Sequence, residues 1–197
     1  VKRLRSAHEH RSGSPAAPPR TVACEIVELL PFGEYAASLN RKRTAAGVLL
    51  RDDRSRVLLV ETTYKPEWEI PGGAVEAEET PWATAARELH EELGITRSLG
   101  ALLVVDHVPT QGVMPEGLAF VFDGGLITEE EVGAIESTDP EIRSVRLCPP
   151  TEAGRLVKPP LHGRINAALS AVDRGVTMFC ESGNPSEALF ETVTLGP

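Results

Sequence analysis

Short apolar runs broken by polar clusters dominate the chain from residue 44 onward. "TAAGVLLRDDRSRVLLVET" predicts two strands joined by a tight polar turn at Asp52–Ser55. "YKPEWEIPGGAVE" is extended, because Pro66 and Pro71 exclude helix and Gly72-Gly73 mark a sharp turn. The pattern then changes period. Trp82, Ala86, Leu89 and Leu93 recur at helical spacing, Thr80 stands at the N-cap, Pro81 at the first helical position and Gly94 at the end. "LGALLVVDHVP", "LAFVFDGGLI" and "EIRSVRLCP" read as strands, and "PPLHGRINAALSAVDRG" as a C-terminal helix. "TEEEVGAIE" fits either a short helix or an exposed acidic loop. Strands interspersed with two or three helices predict a mixed α/β or α+β domain.

The flanks differ in composition. Residues 1–20 are rich in Arg, Ser, Pro and Ala and are expected to be disordered. Residues 21–40 have enough apolar character to form a strand leaning on the main domain, which is placed at residues 41–175. Residues 176–197 are weakly patterned and are read as a tail.

Composition narrows the function. Of 197 residues, 41% are hydrophobic and 25% charged, as in an ordinary globular protein, and no apolar run is long enough to span a membrane. The basic first residues are followed by "SAHEHRSGSPAAPPR" where a secretory signal needs an apolar segment. Cys24, Cys148 and Cys180 are widely spaced, without a C-x-x-C, which suits reduced thiols and a cytoplasmic protein. A net charge of −9 argues against general binding to nucleic acid. An acidic chain can still take a phosphorylated small molecule through a bridging metal ion.

The acidic cluster "RELHEELG" at 87–94 carries the chemistry. Glu88 and Glu91 are three apart, Glu88 and Glu92 four apart, so all three carboxylates can converge on one point beside the Leu89/Leu93 face. An acidic helix face is ordinarily a solvated one. Here the spacing is far more specific. Five residues separate Gly73 from Glu79, and seven more separate Glu79 from Arg87-Glu88. Leu89, one free position, Glu91-Glu92, another free position, Gly94 and Ile95 follow. Hard carboxylate oxygens at this spacing suit Mg²⁺, with Mn²⁺ as a substitute.

This is the complete Nudix box, G-x5-E-x7-R-E-U-x-E-E-x-G-U with U aliphatic, and the chain resembles a Nudix hydrolase. The box covers Gly73–Ile95, and the strand pattern extends the resemblance to about Arg43–Val172. The resemblance implies an α+β fold, a mixed sheet between helices with the box as loop–helix–loop. It implies Mg²⁺-dependent hydrolysis of a nucleoside diphosphate linked to another group. It implies Glu88, Glu91, Glu92 and the Gly73 carbonyl as metal ligands, with Arg87 and Glu79 as orienting groups. Glu78 stands where many family members have glycine before Glu79, so a loop that needs positive φ there strains it.

The general base is either a box glutamate or an acid outside the box, for which Glu136, Asp139 and Glu141 in "IESTDPEI" are candidates, with Glu141 foremost because it precedes a strand. Arg43 and Lys65 can meet substrate phosphates. Trp68 is open to two readings, stacking on a base or burial in the core. His90, His107 and His162 lack ligand spacing and are read as structural or exposed. Two other functions compete: a catalytically silent nucleotide-sensing regulator, against which the intact glutamate set argues, and a prenyl diphosphate isomerase, which needs a different Cys/Glu arrangement. The expected partner is a small nucleotide diphosphate derivative, and the chain is compatible with a homodimer. Deleting residues 1–20 is expected to leave turnover and melting temperature unchanged; a large loss of either would show that the segment packs on the domain or completes its site.

Overall fold

Two aliphatic runs build the centre of the sheet. In β1 (Arg43–Arg51) and β2 (Val57–Thr62), successive side chains point to opposite faces, and both faces are buried. Leu49, Val57 and Leu59 enter one core, whereas Ala46, Val48, Leu50, Leu58 and Val60 enter the other. A computed structural model of the chain describes residues 30–137 and 139–186. The chain divides into two compact units, Val1–Asn40 and Arg41–Pro197.

In the first unit, Phe32–Ser38 forms a short helix, α1, with none of its residues buried. Within residues 30–40 the chain thus forms a helix, and the strand expected in the segment 21–40 is not found among its described residues. Pro31 enters the first turn with its carbonyl accepting from the Tyr35 N–H at 3.0 Å. The expectations for residues 1–29 and 187–197 lie outside the described residues.

In the second unit, β3 (Gly72–Ala74) pairs with β1, and α2 (Pro81–Leu93) follows. Then come β4 (Leu102–Val108), β5 (Gly117–Leu126), the short helix α3 (Glu129–Gly133) and β6 (Ile142–Cys148). Helices α4 (Pro150–Leu156) and α5 (Pro159–Arg174) precede β7 (Met178–Glu181) and β8 (Asn184–Pro185). The sheet order is β6-β2-β1-β5-β4-β7-β8, with β3 against β1; β1 runs parallel to β5 and β4 parallel to β7, the other pairs being antiparallel. Ala85, Leu89 and Leu93 of α2 close one face, and Leu161, Ile165 and Ala168 of α5 close the other. The result is the α+β arrangement expected, a mixed sheet between helices. Among the described residues no helix is long and apolar enough to cross a membrane.

Three local features differ from the sequence reading. The acidic stretch "TEEEVGAIE" resolves into helix because Thr128 and Glu131 form a reciprocal capping box. Trp82 stays half exposed, its ring edge-on to Phe122 at 5.2 Å, while Thr84 and Ala85 take the buried face. The segment after Gly175 is not a tail up to residue 186. Strand β7 adds to the sheet beside β4, the Ser182 N–H reaches the His107 carbonyl, and the Gly183 N–H reaches the Asp106 carboxylate at 3.0 Å. Four residues with only Cys180 buried carry too little periodicity to announce a strand.

Ending the chain at Gly175 is therefore expected to strip the β4 edge and remove a donor from the buried Asp106, lowering the melting temperature by several degrees or abolishing soluble expression. A truncated protein melting within about 2 °C of full length would show that β7 adds nothing to the fold.

Candidate active site

The helix that carries the acidic cluster is fixed at both ends. Thr80 accepts the Ala83 N–H at 3.2 Å, Pro81 occupies the first turn, and Gly94 ends the helix at φ 66° with its N–H on the His90 carbonyl. Burial of Leu89 and Leu93 sets the rotation of α2, so Glu88, Glu91 and Glu92 flank the buried face. The Gly72-Gly73 strand passes beside them. Gly72 has φ 149°, and a Cβ there would collide with the Ala46 carbonyl. A Cβ on Gly73 would run into the Glu88 carboxylate. Glycine is thus needed at Gly72 for the backbone to approach this closely, and at Gly73 it lets the Glu88 carboxylate lie against the chain. Glu78 does adopt φ 64°, the left-handed conformation in which a glycine is at ease, so it carries strain on the order of 1 kcal/mol.

Arg87 organises the cluster. Its Nε donates to Glu79 Oε1 and its Nη2 to Glu79 Oε2, each at 3.0 Å. Its Nη1 donates to Glu88 Oε1 and to Glu91 Oε2, each at 2.9 Å. Glu79 also accepts from the Thr84 hydroxyl at 2.6 Å. The Arg87 bonds, seconded by Thr84, hold the Glu79 carboxyl down at about 2. The same contacts, Glu79 first, raise the Arg87 guanidinium above its ordinary value.

Glu92 is placed differently. Its Oε2 accepts the Gly72 N–H at 2.9 Å, and among the described residues no Lys or Arg pairs with it. Burial, reinforced by the charges of Glu88, Asp139 and Glu141, pushes its carboxyl up to about 8. Burial also raises Glu88, against the pull of Arg87. The loop before β6 comes to this end of α2, where the Ser137 hydroxyl donates to the Glu92 carbonyl at 2.8 Å. Asp139 accepts the Glu141 N–H at 2.8 Å. Of the three candidate bases, Asp139 and Glu141 thus act electrostatically on Glu92.

The three glutamates do not converge on one point. Glu88 and Glu91 meet at Arg87, and Glu92 turns to the Gly72 N–H. Among the described residues no three His, Cys, Asp or Glu side chains are gathered as a ready-made metal cage. The guanidinium competes for the carboxylates, which spacing alone does not reveal.

A cavity of about 330 Å³ opens beside Glu92. Ala45 and Gly47 of β1 and Ala119 and Val121 of β5 lie along it, and Gly72, Gly73 and Glu92 occupy its wall together with Leu161 and Arg164 of α5. Arg43 and Lys65 line it, as expected, although Arg43 donates to the Pro115 carbonyl at 2.8 Å and Lys65 to Glu69 at 2.6 Å. Trp68 does not line it. Its partly buried ring packs against the α5-side core under the Arg146 guanidinium at 4.9 Å.

Tyr64 and Arg164 line the cavity and escaped the sequence reading. Tyr64 is an exposed ring next to Lys65, without a motif to mark it. Arg164 was findable: it lies three positions after Leu161 on the apolar face of α5, where a charge needs a partner. That partner is Asp106, a charge at an inward position of β4. The histidines have ordinary roles: His90 contacts Thr96, His107 pairs with Glu116, and His162 meets the Pro150 carbonyl.

Comparison with known proteins agrees with this geometry. A 64-residue stretch is 44% identical to diphosphoinositol polyphosphate phosphohydrolase 2 of Rattus norvegicus, covering 32% of this chain and 36% of that one. A 109-residue stretch is 34% identical to a MutT-like protein of Streptomyces ambofaciens, covering 55% of this chain and 64% of that one. The chain therefore spans less than two-thirds of the length of these relatives. The NUDIX domain of Shewanella oneidensis NrtR, solved with ADP ribose, superposes with a TM-score of 0.57 at 16% identity, over 73% of this chain and 99% of that one. The family model of the NUDIX domain matches residues 41–169, most of the chain, so the protein belongs to the Nudix family.

Proposed function

We propose that the chain is a divalent-metal-dependent pyrophosphohydrolase, cleaving the diphosphate bond of a nucleoside diphosphate linked to another group. The observation that carries this reading is Glu92, a half-buried carboxylate at the wall of a cavity, withdrawn from solvent enough to raise its pKa and with no cation of the described chain to neutralise it. A buried charge without a partner is costly, and a cation is what such a site lacks. Glu88, Asp139 and Glu141 add negative potential at the same place. The donor set, all oxygen, fits Mg²⁺, with Mn²⁺ as a substitute.

On this reading Glu88, Glu91 and Glu92, with the Gly73 carbonyl, hold the metal, and Arg87 and Glu79 keep the glutamates in orientation. When bound, the metal neutralises the diphosphate and lowers the pKa of a coordinated water. Glu141, whose charge acts on Glu92, would serve as the proton acceptor for an attacking water. Arg43 and Lys65 face the substrate phosphates, with Tyr64 available to the base or sugar. The names of the relatives, a phosphohydrolase and a MutT-like protein, support the reaction class. Incubation with Mg²⁺ and a panel of nucleoside diphosphate derivatives, with the phosphorylated products resolved, tests it directly; no hydrolysis across the panel would overturn it.

Glu91→Gln and Glu92→Gln each conserve shape while removing a negative oxygen. Each is expected to lower turnover about 100-fold or more with the fold intact. Activity within a few-fold of wild type in both would overturn their assignment as ligands.

The state of Glu92 gives a second prediction. Its folded pKa, about 8, stands above its unfolded value, so the native state binds the extra proton between roughly pH 4.5 and 8. Stability is full below that window and falls as pH rises through it. In chelator, the wild-type melting temperature should drop from pH 5.5 to 8.5 by more than that of Glu92→Gln, and added Mg²⁺ should raise it more at the higher pH. The lower pH lies about one unit above the unfolded value and the higher about half a unit above the folded one. Parallel profiles for both proteins would show that Glu92 is ionised throughout.

A further inference from the structure

We propose that Arg164, held by Asp106, is an anion-recognition residue of the cavity, selecting substrates whose group beyond the scissile diphosphate carries a further phosphate or carboxylate. This rests on the pyrophosphohydrolase reading of the same site. The two helices meet the cavity from opposite faces of the sheet. Helix α2 supplies Glu92, and α5 supplies Arg164 across a floor of Ala45, Gly47 and Ala119. A diphosphate held at Glu92 would leave the rest of the substrate extending over small side chains towards α5.

Asp106 is fully buried at the floor of that face, opposite Ala119 in the β4–β5 register. Its Oδ1 accepts the Gly183 N–H at 3.0 Å, and its Oδ2 lies 2.8 Å from Arg164 Nε. The latter contact is a charge pair with poor hydrogen-bond alignment, for both atoms are buried without a hydrogen bond. Arg164 is therefore anchored by charge while its donors are incompletely used. Its side chain keeps 19% of its exposure although Nε has none, so the exposed part is other atoms of the side chain, at the cavity wall. A guanidinium fixed through its Nε retains the two terminal nitrogens, the pair that grips a carboxylate or phosphate end-on. For the fold alone a buried ion pair offers little over an apolar pair of similar volume.

The test compares kcat/KM for substrate pairs that differ by one anionic group. NADPH against NADH adds a phosphate, and UDP-glucuronate against UDP-glucose adds a carboxylate. Wild type should favour the anion-bearing member of at least one pair by about tenfold or more, chiefly through KM, and the pair that responds identifies the group. Arg164→Gln should abolish that preference, and Arg164→Lys, which keeps the charge opposite Asp106, should retain part of it. Equal kcat/KM within both pairs for wild type, or an equal loss on both members in Arg164→Gln, would overturn the proposal and leave a structural pair. If no diphosphate is hydrolysed, the parent reading fails and a binding arm decides. In chelator, an adenosine bisphosphate should raise the wild-type melting temperature more than adenosine monophosphate does, and Arg164→Gln should lose the difference. Equal shifts in wild type would overturn the proposal.

Discussion

The guanidinium of Arg87 is the interaction on which the acidic helix depends. Glu88, Glu91 and Glu92 sit within five positions, and like charges at such spacing weaken a helix. One cation removes most of that conflict by bonding Glu79, Glu88 and Glu91 together. It also joins two segments, because Glu79 stands in the loop before α2 and bonds Thr84 on its first turns. The box loop is therefore tied to the helix by a charged knot, and Glu78 tolerates a left-handed backbone within it. What Arg87 leaves unsolved is Glu92, whose charge is controlled by burial instead.

The sheet determines where these groups meet. Because β1 and β2 are buried on both faces, helices approach the sheet from opposite sides, α2 chiefly over β1 and α5 chiefly over β4. Small residues at Ala45, Gly47 and Ala119 leave space above the floor, and the close passage of Gly72 over β1 brings α2 to its rim. A side chain larger than hydrogen at Gly47 would press on Ile70, so the cavity is bounded there by packing and not by a movable surface group.

Much of this was legible in the sequence where local and global signals coincide. The caps of α2, the hairpin about Asp52–Ser55 and the glycines beside Glu88 were all readable, because each requirement falls on adjacent residues. Legibility failed where the partner is remote. Trp68 was open to two readings because its partners, Arg146 and the α5-side core, lie far from it in the sequence. Strand β7 depends on the β4 edge and has little pattern of its own. The competition of Arg87 for Glu88 and Glu91 turns on rotamers, which spacing does not encode. Asp106 and Arg164 escaped notice because they lie far apart in the chain, and only the fold makes them a pair.

Asp106, fully buried, and Glu92, half-buried, show how one chain handles the same problem in opposite ways. Asp106 is supplied with a cation, Arg164, and a backbone donor from Gly183. Glu92 receives a backbone donor from Gly72 and no cation of the described chain, and its carboxyl is pushed up to about 8. The desolvation problem at the first is solved within the fold; at the second it is left for whatever enters the cavity, a proton or a metal ion. A cavity with an unneutralised acid at one wall and an anchored guanidinium at another is electrically polar along its length. It would orient an extended anionic substrate by charge before any shape-specific contact forms, with the metal-bridged diphosphate towards α2 and a further anion towards α5.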